Sequence, residues 1–140
     1  MLKRSKKGFT LIELMVVVVI IGVLAVIGLR AYVGQVGKAK NAVVKANVGT
    51  IQTLIQAELA DTKVAELDTA EEVDPIIEGA GIYNPYTSSQ QTAAFLTAGE
   101  PTTGSEGDVY VWLNINVYQV NGWGADGTTK VFKNDLTASK

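Results

Sequence analysis

An α+β fold is predicted, with one long N-terminal helix, hydrophobic then amphipathic, packed against a C-terminal antiparallel β-meander of three or four strands. Three observations carry that expectation. Residues 9–29 are apolar apart from one charge, Glu13. Val44, Val48, Ile51, Ile55 and Leu59 recur at steps of four, three, four and four, which is one stripe of an amphipathic helix. Val109, Val111, Leu113, Ile115 and Val117 alternate with Tyr110, Trp112, Asn114, Asn116 and Tyr118, the period of a half-buried strand.

The elements follow in order. Residues 1–8 form a basic leader carrying Lys3, Arg4, Lys6 and Lys7. Residues 9–29 span about 31 Å as a helix at ~1.5 Å per residue, which matches a hydrocarbon core of ~30 Å. The upstream cations place the N-terminus in the cytoplasm. Arg30 and Tyr32 suit the far interface. Residues 30–60 continue the helix in amphipathic form, ending before Asp61-Thr62. Residues 61–140 form a globular head, with a loop region at 61–108 and a sheet at 109–133.

Within the loop region, Thr69-Ala70-Glu71-Glu72 fits a capping box that opens a short helix. Pro75 limits its length, and Gly79 and Gly81 end it. Asn84-Pro85-Tyr86-Thr87-Ser88-Ser89 is a turn cluster, and residues 99–107 read as an exposed loop. The alternating run from Val109 is long for one strand, so a hairpin is expected with its turn at Asn114-Ile115-Asn116. Gly124-Ala125-Asp126-Gly127 is a second turn, read as type I′ at Asp126-Gly127. It leads to a final strand over residues 128–132. Tyr83, Tyr86, Tyr110, Trp112, Tyr118 and Trp123 are expected to fill the sheet face and loop contacts rather than form a surface patch.

Composition excludes several classes. There are no cysteines, so no disulfide forms. There are no histidines, which removes the commonest acid–base group and metal ligand. Without residues 1–8 the chain keeps eight basic and fourteen acidic side chains, a balance of −6. That argues against a nucleic-acid partner recruited by bulk charge. No nucleophile elbow or phosphate-binding loop occurs. No enzyme activity, catalytic residue, cofactor or metal is expected.

Glu13 is the residue that needs a reason. A carboxylate at a bilayer centre costs roughly 2.5–3.5 kcal/mol on insertion scales. The run Lys-Gly-Phe-Thr-Leu-Ile-Glu-Leu-Met-Val-Val-Val-Val-Ile-Ile-Gly-Val-Leu-Ala (7–25) resembles the N-terminus of type IV prepilins. That family also includes the pseudopilins of type II secretion and competence systems. The resemblance implies a cut between Gly8 and Phe9 on the cytoplasmic side by a prepilin peptidase, N-methylation of Phe9, and Glu13 as the filament-assembly glutamate. It implies a structural subunit of a type IV pilus. The subunit would be single-pass in the cytoplasmic membrane, with its N-terminus cytoplasmic, and extracellular in the pilus after assembly. The implied partners are further copies of the chain, the peptidase, an assembly ATPase, a membrane platform, and lipid before assembly.

The chemistry agrees with that implication. Cleavage exposes an α-amino group with a reference pKa near ~8. A neighbouring Glu13 at ~4 Å would attract it by about 4 kcal/mol at an effective dielectric near 20, before desolvation is subtracted. Such a pair selects one offset among many for a nearly uniform apolar helix. The chain departs from the family at Arg30, where many pilins carry proline. Gly28, Gly34 and Gly37, at about 1 kcal/mol of helix propensity each relative to alanine, are expected to take over the loosening role. The missing cysteines depart from the many pilins that close their C-terminal region with a disulfide. Gly-Ala-Asp-Gly resembles a segment of the major pseudopilins, whose C-terminal loop binds calcium. Asp126, Asp108 and Asp135 would be the carboxylates, but calcium takes roughly six to eight oxygens, and the turn reading outweighs it. Two alternatives stand beside the pilus subunit: a pseudopilin, and a monomeric membrane-anchored binding domain.

Overall fold

Residues 11–61 contain no proline, and from Val44 onward their apolar residues keep a helical period. In a computed structural model, which describes residues 8–61, 67–91, 95–96, 101–102, 104–114 and 117–137, they form helix α1 (Leu11–Asp61). The helix begins two residues later than expected. It runs unbroken through Gly28, Gly34 and Gly37.

The chain divides into two units, Met1–Val36 and Gly37–Lys140. In the first, every large apolar side chain from Phe9 to Val33 is exposed, with Phe9 at 88%. The second unit owes its core to the amphipathic stripe. Val44, Val48, Ile51, Ile55 and Leu59 are the buried residues of α1, the same five that the periodicity picks out. They pack in one cluster with Leu67, Val73, Ile77, Ile82, Val109, Val111, Tyr118 and Val120.

Helix α2 (Ala70–Gly79) opens at the expected capping box. The Glu72 carboxylate accepts the Thr69 backbone N–H at 3.3 Å and its hydroxyl at 3.0 Å. Val73 and Ile77 form its buried side. The helix stops where Gly81 takes a φ of 60°, a conformation that glycine adopts without a Cβ penalty.

The sheet has the order β1-β2-β3-β4: β1 (Phe95–Leu96), β2 (Val109–Asn114), β3 (Val117–Trp123) and β4 (Lys130–Thr137). β2 and β3 pair antiparallel, with Asn114 opposite Val117 and Val109 opposite Gly122. This is the expected hairpin, although residues 115 and 116 of its turn lie outside the described residues. β4 follows antiparallel to β3. The expected antiparallel meander is therefore present in β2, β3 and β4. Among the described residues, the strand side chains that build the helix-facing core come from two strands, β2 and β3. β1 has only two residues and runs parallel to β2. Phe95 and Leu96 carry no alternation that would extend it.

Alternation splits the hairpin into two faces. Val109, Val111, Tyr118 and Val120 join the α1 cluster. Tyr110, Trp112 and Trp123 form a second cluster, in which the Tyr110 and Trp123 rings stack at 5.4 Å. The aromatic residues therefore fill the sheet as expected, while Tyr83 stays 56% exposed. Gly122 lies against Val44, and an added Cβ would collide with that side chain. The Tyr118 hydroxyl donates to the Leu67 carbonyl, tying the hairpin to the segment before α2.

Two predictions follow from this packing. Gly122→Ala should lower stability by about 1–3 kcal/mol through overpacking, read by chemical denaturation of the detergent-solubilised chain with tryptophan fluorescence. Burial first, then the charges of Asp68 and Glu72, push the Tyr118 phenol up to about 12 from its ordinary 10.0. A raised folded-state value leaves stability intact below the unfolded value and erodes it as pH climbs toward the folded one. Stability should thus be flat below pH ~10 and decline from there to ~12, and Tyr118→Phe should remove that part of the decline.

Candidate assembly site

Gly8, Phe9 and Thr10 precede the helix, and Thr10 acts as its N-cap. The Thr10 carbonyl accepts the Leu14 N–H at 3.3 Å. The Glu13 N–H donates to the Thr10 hydroxyl at 3.3 Å. In return, Glu13 Oε2 accepts both the Thr10 backbone N–H and the Thr10 hydroxyl at 2.8 Å each. Thr10-Leu11-Ile12-Glu13 is therefore a capping box. It gives the lone acid a local reason that a charge count does not supply, and it explains why the helix starts at Leu11. The pattern Thr-x-x-Glu at 10–13 is the same one that marks α2, so the sequence held the signal.

Among the described residues, both donors reach the same carboxylate oxygen of Glu13. The group is exposed, at the positive end of the helix dipole. Phe9 and Gly8 are also exposed. Three of the expected site residues, Gly8, Phe9 and Glu13, thus lie together at one helix start.

Of the three aspartates considered for a metal, Asp126 and Asp108 are engaged separately. The Asp126 carboxylate accepts the backbone N–H of Thr128 at 3.0 Å and of Thr129 at 2.7 Å, and the Thr129 hydroxyl at 2.5 Å. The Thr129 hydroxyl, then the Thr129 and Thr128 amides, hold it well below the usual carboxylate range. Asp108 accepts the Asn84 side-chain amide at 2.7 Å. Asp135 lies in β4 opposite Gln119. Among the described residues, no cluster of three metal-ligating side chains occurs. The type I′ reading of Asp126-Gly127 is corrected. The turn bond runs from the Gly127 N–H to the Gly124 carbonyl at 3.2 Å, so Ala125 and Asp126 are the central residues. Only Gly127 has a positive φ, 62°.

Asn84 organises the head's loops. It is 3% exposed. Its amide donates to the Glu106 carbonyl at 2.6 Å as well as to Asp108, and its oxygen accepts the Tyr86 N–H at 2.8 Å. Gly107, with φ 78°, sits so close to the Asn84 oxygen that no Cβ fits.

The family profile described as "Prokaryotic N-terminal methylation motif" matches residues 3–29. Fimbrial protein EcpC of Eikenella corrodens is 33% identical over 105 residues, covering 74% of this chain and 69% of that protein. This chain belongs to the type IV pilin family. The pilin is also similar to the type IV major alpha-pilin of Moraxella bovis, at 35% identity over 99 residues, 71% of this chain and 61% of that one. The type IV major fimbrial protein FimA of Dichelobacter nodosus is 42% identical over 65 residues, 46% of this chain and 41% of that protein. The chain therefore spans between two fifths and two thirds of the length of these two relatives. No solved structure matches it.

Removing the Thr10 hydroxyl should fray the first turn of this pilin. Thr10→Ala is expected to cost about 1 kcal/mol of local helix stability, measured as faster hydrogen exchange at the amides of residues 11–14 in detergent micelles.

Proposed function

We propose that this pilin is a structural subunit of a type IV pilus, made as a membrane prepilin, cut after Gly8, N-methylated on Phe9 and polymerised through residues 9–29. The observation that carries the reading is the pairing of a capped, exposed Glu13 with an apolar helix that the single chain leaves wholly uncovered. α1 is long and apolar enough to cross a membrane by length and composition. Its side chains need lipid before assembly and other helices after it.

The cut leaves an ammonium on Phe9, next to a helix start whose dipole already disfavours positive charge. It needs an anion. The Glu13 of an adjoining copy supplies one and fixes the axial stagger. Thr10 holds that carboxylate by its Oε2, which orients it without neutralising it. A contact between two different surfaces repeats head to tail and yields an open helical polymer. Residues 9–29 form the filament core in this reading, and the head coats it. A peptidase, an assembly ATPase and a membrane platform act on the chain, which itself catalyses nothing. The subunit moves from the cytoplasmic membrane to the extracellular pilus.

Mass analysis of the purified protein should find a mature chain that begins at a singly methylated Phe9; a chain beginning at Met1 would reject the reading. Glu13→Gln keeps the side chain's size and its bonds to Thr10 while deleting the charge. It should abolish filaments with processing intact, because leaving the ammonium unpaired in an apolar core costs about 3–5 kcal/mol per contact. Filament yield equal to wild type would remove Glu13 from assembly.

A further inference from the structure

Charge in the head is segregated. Residues 38–45 hold three lysines and no acid, whereas residues 58–78 hold eight acids and one lysine. Two of these lysines, Lys38 and Lys45, border a groove of about 460 Å³. One wall is a single face of α1: Lys38, Asn41, Ala42 and Lys45, at steps of three, one and three. The other is Thr129 and Lys130 at the start of β4. None of the six is acidic. The nearby Asp126 carboxylate is turned to its own loop by Thr128 and Thr129. Asn41 is set in place by the Tyr86 hydroxyl, which donates to it at 2.8 Å, and Lys40 lies 4.8 Å over the Tyr86 ring.

The acids present a matching surface. Glu71, Asp74 and Glu78 follow steps of three and four on α2, where they border a shallow groove with Ala70 and Pro75. The opposite side of α2 is anchored by Val73 and Ile77, both buried, and Glu72 is held in the capping box. The acidic face is therefore presented by a helix that the core fixes. From Lys38 to Lys45 and from Glu71 to Glu78 the span is the same, about 10.5 Å at ~1.5 Å per residue. The two surfaces share no residue.

We propose that the basic groove of one subunit receives the acidic α2 face of a second copy, forming a contact of fixed polarity between the globular heads along the polymer. Equal span and opposite charge on two distinct surfaces of the same chain make the contact heterologous, so it propagates instead of closing into a dimer. Single exposed ion pairs contribute little. Here the contact repeats at every subunit and sets orientation and partner choice, the usual work of charge complementarity. It rests on the reading that the chain polymerises.

The test uses full-length chains expressed in a pilus-producing host, with surface filaments and processed membrane pool measured separately. A water-soluble carbodiimide applied to wild-type filaments should join Lys38 or Lys45 of one copy to Glu71, Asp74 or Glu78 of another, identified by mass spectrometry with mixed isotope-labelled copies. Lys38→Glu with Lys45→Glu should cut filament yield roughly tenfold while the processed pool is unchanged. Adding Glu71→Lys and Glu78→Lys should restore it. Absence of wild-type filaments would defeat the pilus reading itself. Filaments whose lysines cross-link to other acids, or a loss that the complementary swap does not reverse, would overturn this contact and assign the groove to another anionic occupant.

Discussion

The constraint behind everything else is that residues 9–29 cannot satisfy themselves. An apolar helix whose whole circumference faces outward has no stable place in water. A bilayer accepts it, and so does a bundle of identical helices. Neither environment gives it an axial position, since one valine or isoleucine is nearly equivalent to the next. The one polar device on the helix sits at its start, where Thr10 and Glu13 hold each other. A feature that first stabilises the beginning of a helix can thereby also mark a place along it.

The head answers a different requirement. Its core joins the helical stripe of α1 to the buried side of α2 and one face of the β2–β3 hairpin. Glycine at position 122 lets the hairpin close onto Val44, and Tyr118 reaches past the strand to grip Leu67. The far face of the hairpin is closed by aromatic stacking. Loop geometry is then settled by a few buried polar groups, Asn84 foremost, rather than by covalent links, which a cysteine-free chain lacks.

What the sequence made legible follows from which forces are periodic. The five α1 core residues, the box at Thr69–Glu72, the ending near Gly81 and the β2–β3 hairpin all rest on spacing along the chain, and spacing is visible. The Asn84 bonds to Glu106 and Asp108 join residues more than twenty positions apart and have no period. The parallel pairing of Phe95–Leu96 is equally invisible, because two residues cannot show an alternation. The Thr10–Glu13 box was legible in principle. Its glutamate stands out so strongly as a buried charge that its simpler local role is easily passed over. At Asp126 the turn residues were plain, but the distribution between a two-residue and a longer loop depends on side-chain bonds to Thr128 and Thr129.

The Asn84 hub has a consequence for how such a protein can change over generations. It pins the base of the turn at 85–89 to the strand entry at 106–108, so a change at this one side chain would be felt at both places. The exposed positions of that turn are tied in as well: Ser88 holds a φ of 59°, the Thr87 N–H donates to the Asn84 oxygen, and the Gln90 side chain donates to the Glu78 carbonyl. A single internal amide thus makes the turn and the strand entry one unit, whose residues can be exchanged only together.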